Sequence, residues 1–562
     1  MIANIGFTSL LLLLFFSFVQ PIFLIKSSTK NLKNLSALFL GLSVTAFICL
    51  IISYIISDFS IQNVYQNSHS LKPLIYKISG TWGNHEGSML LLLCFLCFYG
   101  TSFAFLSKID DKTKNTALSV QSLIILGFAA FICFTSNPFL KIFPVPIEGL
   151  GLNPLLQDVG LAMHPPMLYA GYIGFSLVFS IAIAGLLNEK INQDFALKLK
   201  PWLMLSWSFL TLGIGIGSWW AYRELGWGGF WFWDPVENVS LMPWLCATAL
   251  FHSISVLSRK GSFKLWSCFL AILSFVFCLL GIFLVRSGII TSVHSFANDP
   301  SRGVFIIGLL FLIGGAGFLI FFFKGLKLTS KSEHFALKSR SGMILINNFL
   351  ICFALFVVTL GTLYPLIAQL FFDTSISIGP SYYNKLFAPI SLAILCLMIL
   401  VPSVRLGKFS SKSMFLAHIG MYMVIGAIFL TAIFSTNKEL NMKIGDKTTM
   451  KKYEIKFEKM NYVAGKNYVA REGEFLINGN IRLNPQIRYY PESDQTTTEA
   501  DIKYFIFSDL YLVMGGKDEE ENYAIKIYHK PFMSFIWLGC LMMFCGGIHS
   551  VTRKLFGNIL SK

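Results

Sequence analysis

The sequence predicts an all-α polytopic membrane protein with about thirteen transmembrane helices of about 20 residues each, and with one small β-rich domain outside the membrane. Of the 562 residues, 55% are hydrophobic and only 13% are charged, whereas soluble globular chains carry about 25% charged residues. The apolar residues are gathered in runs that are long enough to cross a bilayer as helices. The composition therefore indicates an integral membrane protein.

Twelve of the predicted spans follow one another along the first three quarters of the chain, and the last lies near the C-terminus. They cover residues 3–25, 35–57, 88–107, 118–136, 167–187, 201–221, 239–257, 263–285, 304–324, 343–370, 385–403, 413–434 and 532–550. The first begins at the N-terminus without a basic segment or a small-residue cleavage site, so we interpret it as a span and not as a cleaved signal.

Lysine and arginine are concentrated in every second connecting loop. By the positive-inside rule these loops should be cytoplasmic, which puts the N-terminus outside and the C-terminus inside. The same rule accounts for the net charge of +16. The charge therefore indicates contact with membrane lipid and no nucleic-acid partner.

One long polar segment, residues 435–531, separates the last two spans. Alternating apolar and polar residues in YEIKFEKM, IRLNPQIRYY and YAIKIYHK predict strands there. We therefore divide the chain into a helical core (1–434), an outer β-rich domain (435–531), and a last span with a cytoplasmic tail (532–562).

An outer loop near residues 219–244 contains six of the eleven tryptophans. They are Trp219, Trp220, Trp227, Trp231, Trp233 and Trp244. An aromatic belt at the membrane interface is one explanation, but a belt is spread over many helix ends and does not need Gly228 and Gly229. Glycine lets a backbone approach a flat ligand, and indole offers broad apolar faces. The loop therefore favours a planar, mostly apolar macrocycle, while Asp234 is predicted to cap the next helix.

Two histidines lie well inside predicted spans. His252 is seven residues before Arg259, and His418 is six residues after Lys412, so both are about 9–10 Å from the cytoplasmic ends of their helices. Intramembrane ionisable residues are usually functional, and neutral imidazole is a standard axial ligand of haem iron. We expect the two to hold one haem. Two separately hydrogen-bonded histidines are the alternative, and His549 is a third candidate at similar depth.

His164 and His294 flank the Trp-rich loop on the outer side. Pro165 and Pro166 are predicted to open the fifth span directly after His164. If these loops meet, the two imidazoles face each other across the tryptophans, which is again the geometry of a bis-histidine iron site. Each histidine alone would more often be a cap or surface residue.

Arg223, Arg286 and Arg302 are uncommon charges in these apolar outer loops. Arginine pairs well with carboxylates such as haem propionates. Equally, the three side chains could extend to the membrane interface.

Several motifs resemble one family. WGGFWFWDPVEN resembles the WWD signature of the haem-handling superfamily, and TWGNHEGSMLL, GLGLNPLLQDVGLAMHPPMLYAGY, FLVRSGIITSVHSFANDP and YFIFSDLYLVMGG are similar to its CcmF/NrfE branch. The resemblance extends from about residue 75 to the C-terminus. The stretch between His294 and His418 looks shorter than in family members, by about a helix pair.

The resemblance implies a haem lyase subunit of a cytochrome c maturation system in the bacterial inner membrane. Such a subunit accepts haem from a CcmE-type chaperone, works with CcmH/CcmI-type thiol-handling subunits, and joins haem to apocytochrome c thiols as thioethers. His164 and His294 would ligate the incoming haem, and His252 and His418 would ligate a resident haem b. The loop residues implied to grip haem are Trp227, Trp231, Trp233 and Asp234, with Trp219, Trp220, Gly228, Gly229, Arg223 and Arg286 as further contacts.

Two other functions remain open at this point. A haem transporter should have a polar path at the membrane midplane and discontinuous helices, whereas few charges lie mid-membrane here. An electron-transfer cytochrome b would need neither the Trp-rich loop nor the β-rich domain. The chain lacks a Cys-x-x-Cys-His segment, so it is not itself a c-type cytochrome.

Overall fold

The computed structural model describes residues 1–23, 29–289, 300–328, 336–337, 339–400 and 411–555. Thirteen helical segments in this part of the chain are long and apolar enough to cross a membrane, which confirms the predicted multi-pass fold. The helices are α1 (Ile2–Phe23), α2 (Thr29–Ile55), α3 (Gln62–Asn67), α4 (Leu74–Gly80), α5 (His85–Leu106), α6 (Asp111–Thr135), α7 (Val159–Tyr172), α8 (Phe175–Leu187), α9 (Gln193–Glu224), α10 (Pro235–Lys260), α11 (Lys264–Ser287), α12 (Pro300–Leu309), α13 (Gly315–Gly325), α14 (Arg340–Phe372), α15 (Pro380–Leu400), α16 (Lys412–Phe434) and α17 (Met533–Leu555).

The fifth span differs from its prediction. Helix α7 begins about two turns before the prolines, because the Asp158 side chain caps it by accepting a hydrogen bond from the Gly160 N–H (2.6 Å). The prediction that Pro165 and Pro166 open this span is therefore wrong, and His164 lies inside a helix. The span is interrupted after α7 and continues as α8.

The sixth span is also longer than predicted. Helix α9 extends to Glu224, so Trp219, Trp220 and Arg223 lie on its last turns and not in a loop, which corrects their predicted position. Only residues 225–234 connect α9 to α10, and we call this segment the Trp loop. The side of the membrane that carries it is called the outer side below.

Helices α7 and α9 cross with their backbones in contact. A Cβ added at Gly171 would overlap the backbone of Leu210, and one added at Gly213 would lie 2.6 Å from Leu168 Cα. Small residues let membrane helices approach this closely, and the gain is in van der Waals contact and hydrogen bonding. This crossing fixes the position of α7, which carries His164.

The polar segment forms a β-sandwich, which confirms the predicted β-rich domain. Its strands are β1 (Thr436–Met442), β2 (Lys447–Met450), β3 (Tyr453–Ala464), β4 (Val469–Ile477), β5 (Ile481–Leu483), β6 (Gln486–Tyr490), β7 (Gln495–Glu499), β8 (Asp501–Tyr504), β9 (Ser508–Lys517) and β10 (Tyr523–Pro531). One antiparallel sheet has the order β1-β10-β9-β8, and the other has the order β2-β3-β4-β6-β7, with β5 beside β4. Phe457 and Phe475 stack at 4.4 Å in the core between the sheets.

The β-sandwich is seated on the helical core. Strand β1 follows α16 almost directly, and α17 follows β10, so the domain is held by a membrane helix at each end. Between these ends, the Tyr222 hydroxyl on α9 donates a hydrogen bond to Asp509 Oδ2 on β9 (3.2 Å). Both side chains are fully buried, and burial raises the pKa of Asp509 to about 7.

This pKa predicts a pH dependence of stability. In the unfolded chain the Asp509 carboxyl ionises near its ordinary pKa of 3.8, whereas in the folded protein it stays protonated up to about pH 7. The folded state therefore holds more protons between these values, and its free energy of unfolding falls as pH rises from about 4 to about 7. Asp509→Asn should flatten this fall in Tm, measured by thermal unfolding in detergent.

The matched control is Glu520→Gln, which removes an exposed carboxylate from the same domain. It should retain the slope of the unmodified protein. Equal slopes for the two variants would contradict the role given to Asp509.

Candidate functional site

A large cavity lies among the outer ends of several helices. Its volume is about 870 Å³, in the upper part of the range of about 300–1,000 Å³ that is usual for ligand sites. One part of its lining is apolar and includes Leu155, Leu161, Leu168, Val236 and Ile282. The rest is polar and includes Asn63, Asn84, Glu86, Arg286 and Arg302. The cavity therefore suits a large amphiphilic ligand.

His164 lines this cavity. Its Nδ1 lies 2.8 Å from the Gly213 carbonyl oxygen, and a carbonyl only accepts, so Nδ1 carries a proton. The ring packs on α9 at Gly217, where an added Cβ would lie 2.5 Å from Cε1. The predicted partner, His294, lies outside the described residues, so the pairing of the two stays a prediction.

Arg286 is buried at the cavity wall, with 4% of its surface exposed. The alternative that it extends to the membrane interface is therefore wrong. Its guanidinium donates to Ser88 Oγ (2.8 Å) and to the Tyr169 hydroxyl (2.7 Å). It also lies 3.4 Å from His85 Nδ1, which must accept, so His85 Nε2 donates to Ser136 Oγ (2.9 Å).

The other two arginines hold protein carboxylates. Arg302 donates to Glu86 Oε1 (2.7 Å) at the cavity. Arg223 pairs with Asp158 Oδ2 (3.0 Å) and lies over the Trp219 ring at 4.6 Å. Arg223 thus ties the start of α7 to the end of α9.

His85 and Glu86 also line the cavity and were not predicted from the sequence. The available signal was the position of two ionisable residues at the start of an apolar run, directly after Asn84. That asparagine caps α5 by accepting from the Gly87 N–H (2.8 Å). Their neighbours in the cavity come from distant segments, so spacing along the chain gave no sign of the site.

Trp233 of the Trp loop faces α15. Trp233, with φ +57°, stacks on Tyr383 with 4.7 Å between ring centroids and 8° between planes. Its indole N–H donates to Asn384 Oδ1 (2.8 Å). Trp231 meets Trp233 edge to face at 6.0 Å.

The glycines of the Trp loop approach protein side chains. A Cβ at Gly228 would lie 2.8 Å from the Tyr528 ring, and one at Gly229 would lie 2.8 Å from Phe232. Trp227 is half-exposed and meets Phe232 edge to face at 4.9 Å. Among the six tryptophans, only Trp220 belongs to the cavity wall formed by the described residues.

Asp234 caps α10, as predicted. Its Oδ1 accepts from the Val236 N–H (2.8 Å), and Glu237 Oε2 accepts in return from the Asp234 N–H (3.0 Å). Glu237 also accepts from the Phe232 N–H (2.9 Å). This reciprocal capping fixes the exit of the Trp loop.

His252 and His418 have matching environments within α10 and α16. The Nδ1 of His252 lies 2.9 Å from the Thr248 carbonyl oxygen, and that of His418 lies 2.8 Å from the Met414 carbonyl oxygen. Both rings therefore carry their lone pair on Nε2, for which the described residues provide no hydrogen bond. His549, the third candidate, is exposed.

Comparison with known proteins identifies the family. Residues 82–291 match the model described as cytochrome C assembly protein, and residues 433–531 match the CcmF C-terminal beta-sandwich. The CcmF protein of Haemophilus influenzae is 37% identical over 649 aligned positions that cover 100% of each chain. The chain belongs to the CcmF family of cytochrome c-type biogenesis proteins.

Two other relatives also match this chain over most of its length. The CcmF protein of Escherichia coli is 38% identical over 90% of this chain and 89% of its own, and the NrfE protein of H. influenzae is 34% identical over 98% and 99%. A solved structure named cytochrome c heme lyase CcmF shares the fold, with a TM-score of 0.80 at 20% identity over 98% of each chain. The 649-position alignment exceeds the 562 residues of this chain, so the H. influenzae protein contains segments that this chain lacks.

The contact between Gly217 and His164 gives a testable prediction for this CcmF-family chain. In Gly217→Ala the added methyl would lie 2.5 Å from the imidazole, so the ring must move and its hydrogen bond to Gly213 is lost. Overpacking of this kind costs about 1–3 kcal/mol, so thermal unfolding in detergent should show a lower Tm.

Gly41→Ala is the control, because nothing lies within 4 Å of a Cβ at Gly41 in α2. It should leave Tm close to that of the unmodified protein. If Gly217→Ala and Gly41→Ala unfold at the same temperature, the close contact between His164 and Gly217 of α9 is contradicted.

Proposed function

We propose that this chain is the haem lyase subunit of a cytochrome c maturation system, which attaches haem to the cysteine thiols of an apocytochrome c. The observation that carries the proposal is a ligand-sized cavity on the outer side, which His164 lines with an imidazole whose Nδ1 is held by a backbone carbonyl. Membership of the CcmF family supports the same reaction, since a solved member of this fold is named a cytochrome c heme lyase.

The incoming haem is the substrate of the outer cavity. His164 would ligate its iron on one side, and His294 would supply the second imidazole. Arg286 lies in the polar part of the wall, where a guanidinium can bind a propionate. Leu168 and Ile282 lie in the apolar part, which suits the porphyrin ring. The wall would therefore set which edge of the haem faces the thiols.

The bond-forming step depends more on the positioning of the haem and the thiols than on acid–base catalysis. Each thiol adds across one haem vinyl group: the S–H bond breaks, sulfur bonds to the vinyl carbon next to the ring, and a proton ends on the terminal carbon. No net oxidation occurs. Holding both reactants in place contributes up to about 7–11 kcal/mol in the best intramolecular cases. Ligation of the haem iron and shelter from water are the contributions that this chain would add.

His252 and His418 fit a resident haem b. Each ring is oriented by a hydrogen bond from Nδ1 to the carbonyl four residues earlier in its own helix, which is the usual way that a protein fixes the tautomer of a ligating histidine. The lone pair on each Nε2 is then directed away from its own backbone. A haem bound there would supply a one-electron carrier that keeps the iron of the substrate ferrous.

The partners follow from the reaction. A CcmE-type chaperone would deliver haem, CcmH/CcmI-type subunits would keep the apocytochrome thiols reduced, and the apocytochrome would enter from the outer side. In a bacterial inner membrane that side is the periplasm. Lys200, Arg259, Arg340 and Lys554 lie near one another at the opposite side, which supports a periplasmic N-terminus and a cytoplasmic C-terminus.

The resident haem is tested by spectroscopy of the purified chain. His252→Ala and His418→Ala should each lower the b-type haem content at least tenfold, because each removes one iron ligand; redox-difference spectra and pyridine extraction measure it. His549→Ala is the control and should keep the full signal. An unchanged spectrum in His252→Ala contradicts the resident site.

The outer site is tested by complementation. A strain that lacks the chain should lose all c-type cytochromes while haem synthesis continues. His164→Ala should fail to restore them and yet retain its b-type haem, because only the outer ligand is removed. Restoration of c-type cytochromes by His164→Ala refutes the proposed role of the outer cavity.

A further inference from the structure

The β-sandwich makes a close contact with the Trp loop. Gly228 has φ +64° and meets the Tyr528 ring of β10, 2.8 Å from the position of an added Cβ. Gly226, with φ +70°, faces Thr498 and Val513, 3.5 Å and 3.7 Å from an added Cβ. Glycine adopts positive φ readily, so the backbone of the Trp loop can lie close to the β-sandwich at both positions.

The outer end of α9 is held by the same domain. Tyr222 donates to Asp509 Oδ2 (3.2 Å), and both side chains are fully buried. The Tyr222 ring also packs against Tyr511 at 5.3 Å and against Trp537 at 6.2 Å. Helix α9 carries Gly217, on which His164 rests. A shift of the outer end of α9 would therefore move Gly217 and with it the imidazole of His164.

Two more contacts reach the segments that surround the cavity. Asn467 Nδ2 donates to Gln157 Oε1 (2.9 Å), next to the cavity-lining Leu156. His69 Nδ1 lies 3.5 Å from Glu492 Oε1. The β-sandwich thus contacts the outer segment before α5, the segment before α7, and the link between α9 and α10.

The domain is also joined to the helix that carries His418. Helix α16 ends at Phe434, and β1 begins at Thr436. Near this junction Thr431 Oγ1 donates to the Pro531 carbonyl oxygen (2.6 Å) at the end of β10. The β-sandwich is therefore attached to α16 and α17 at its two chain ends. It also contacts the Trp loop through Tyr528.

We propose that the β-sandwich positions the Trp loop and the outer end of α9, with Tyr528 and Tyr222 as the positioning residues. Tyr528 fills the space that Gly228 leaves open, and Tyr222 anchors α9 to Asp509. The other end of the loop is held by the stacking of Trp233 on Tyr383 of α15. The inference rests on the proposed function only for the ligand that is positioned, because the contacts themselves are between parts of this chain.

The first test compares two glycines in the full chain. Gly228→Ala introduces a methyl 2.8 Å from the Tyr528 ring, whereas Gly479→Ala has a similar φ of +73° with nothing within 4 Å. Hydrogen–deuterium exchange of residues 225–234 should become at least tenfold faster in Gly228→Ala and stay unchanged in Gly479→Ala. Unchanged exchange of this segment in Gly228→Ala overturns the proposal.

A second pair of variants separates positioning from general loss of structure. Tyr222→Phe removes the hydroxyl donor, whereas Asp509→Asn keeps an oxygen that can accept from Tyr222. Tyr222→Phe should weaken haemin binding at the outer site at least fivefold, measured by Soret titration, with the b-type signal of His252 and His418 unchanged. Asp509→Asn should bind haemin like the unmodified chain. Equal behaviour of the two variants overturns the role of Tyr222.

The two readouts distinguish this inference from the proposed function. Faster exchange in Gly228→Ala together with no haemin binding by the unmodified chain would support the positioning role and refute the haem lyase proposal. Normal haemin binding by the unmodified chain together with unchanged exchange in Gly228→Ala would support the haem lyase proposal and refute the positioning role. A fall in b-type signal that equals the fall in haemin affinity in Tyr222→Phe would count against positioning, since it indicates loss of the whole helical core.

Discussion

The close crossing of α7 and α9 is the constraint on which the outer site depends. Glycines at positions 171, 213 and 217 bring the two backbones into contact and leave room for the imidazole of His164. The Gly213 carbonyl fixes the tautomer of that ring at 2.8 Å. The same helix α9 continues to Trp220 in the cavity wall and to Tyr222 at the β-sandwich. Helix α9 therefore contacts His164, the cavity and the β-sandwich at successive positions along its length.

Four of the described histidines fall into two groups by the role of Nδ1. His164, His252 and His418 each donate from Nδ1 to a backbone carbonyl. His85 is the opposite, because Arg286 requires Nδ1 to accept and Nε2 then donates to Ser136. The first arrangement presents a metal ligand with its orientation fixed from behind. The second builds a buried polar wall that holds a cation beside the cavity.

The β-sandwich is built into the membrane core at both of its ends. Its continuity with α16 and α17 fixes its base, and its contacts with Gly228 and Tyr222 bring its side against the Trp loop. A loop between two membrane helices has little core of its own, so the positive φ angle at Trp233 needs support from neighbouring elements. The loop contacts the β-sandwich at Gly228 and α15 at Trp233.

The sequence by itself determined the number of spans, the β-rich segment and the cap at Asp234. Each of these depends on local features: the length of an apolar run, the alternation of a strand, or the chemistry of a helix start. Tertiary structure alone decided that His85 and Arg286 share a wall, and which way the tryptophans face. These features depend on contacts between segments far apart in the chain, such as the stacking of Trp233 on Tyr383, and no local pattern encodes such contacts.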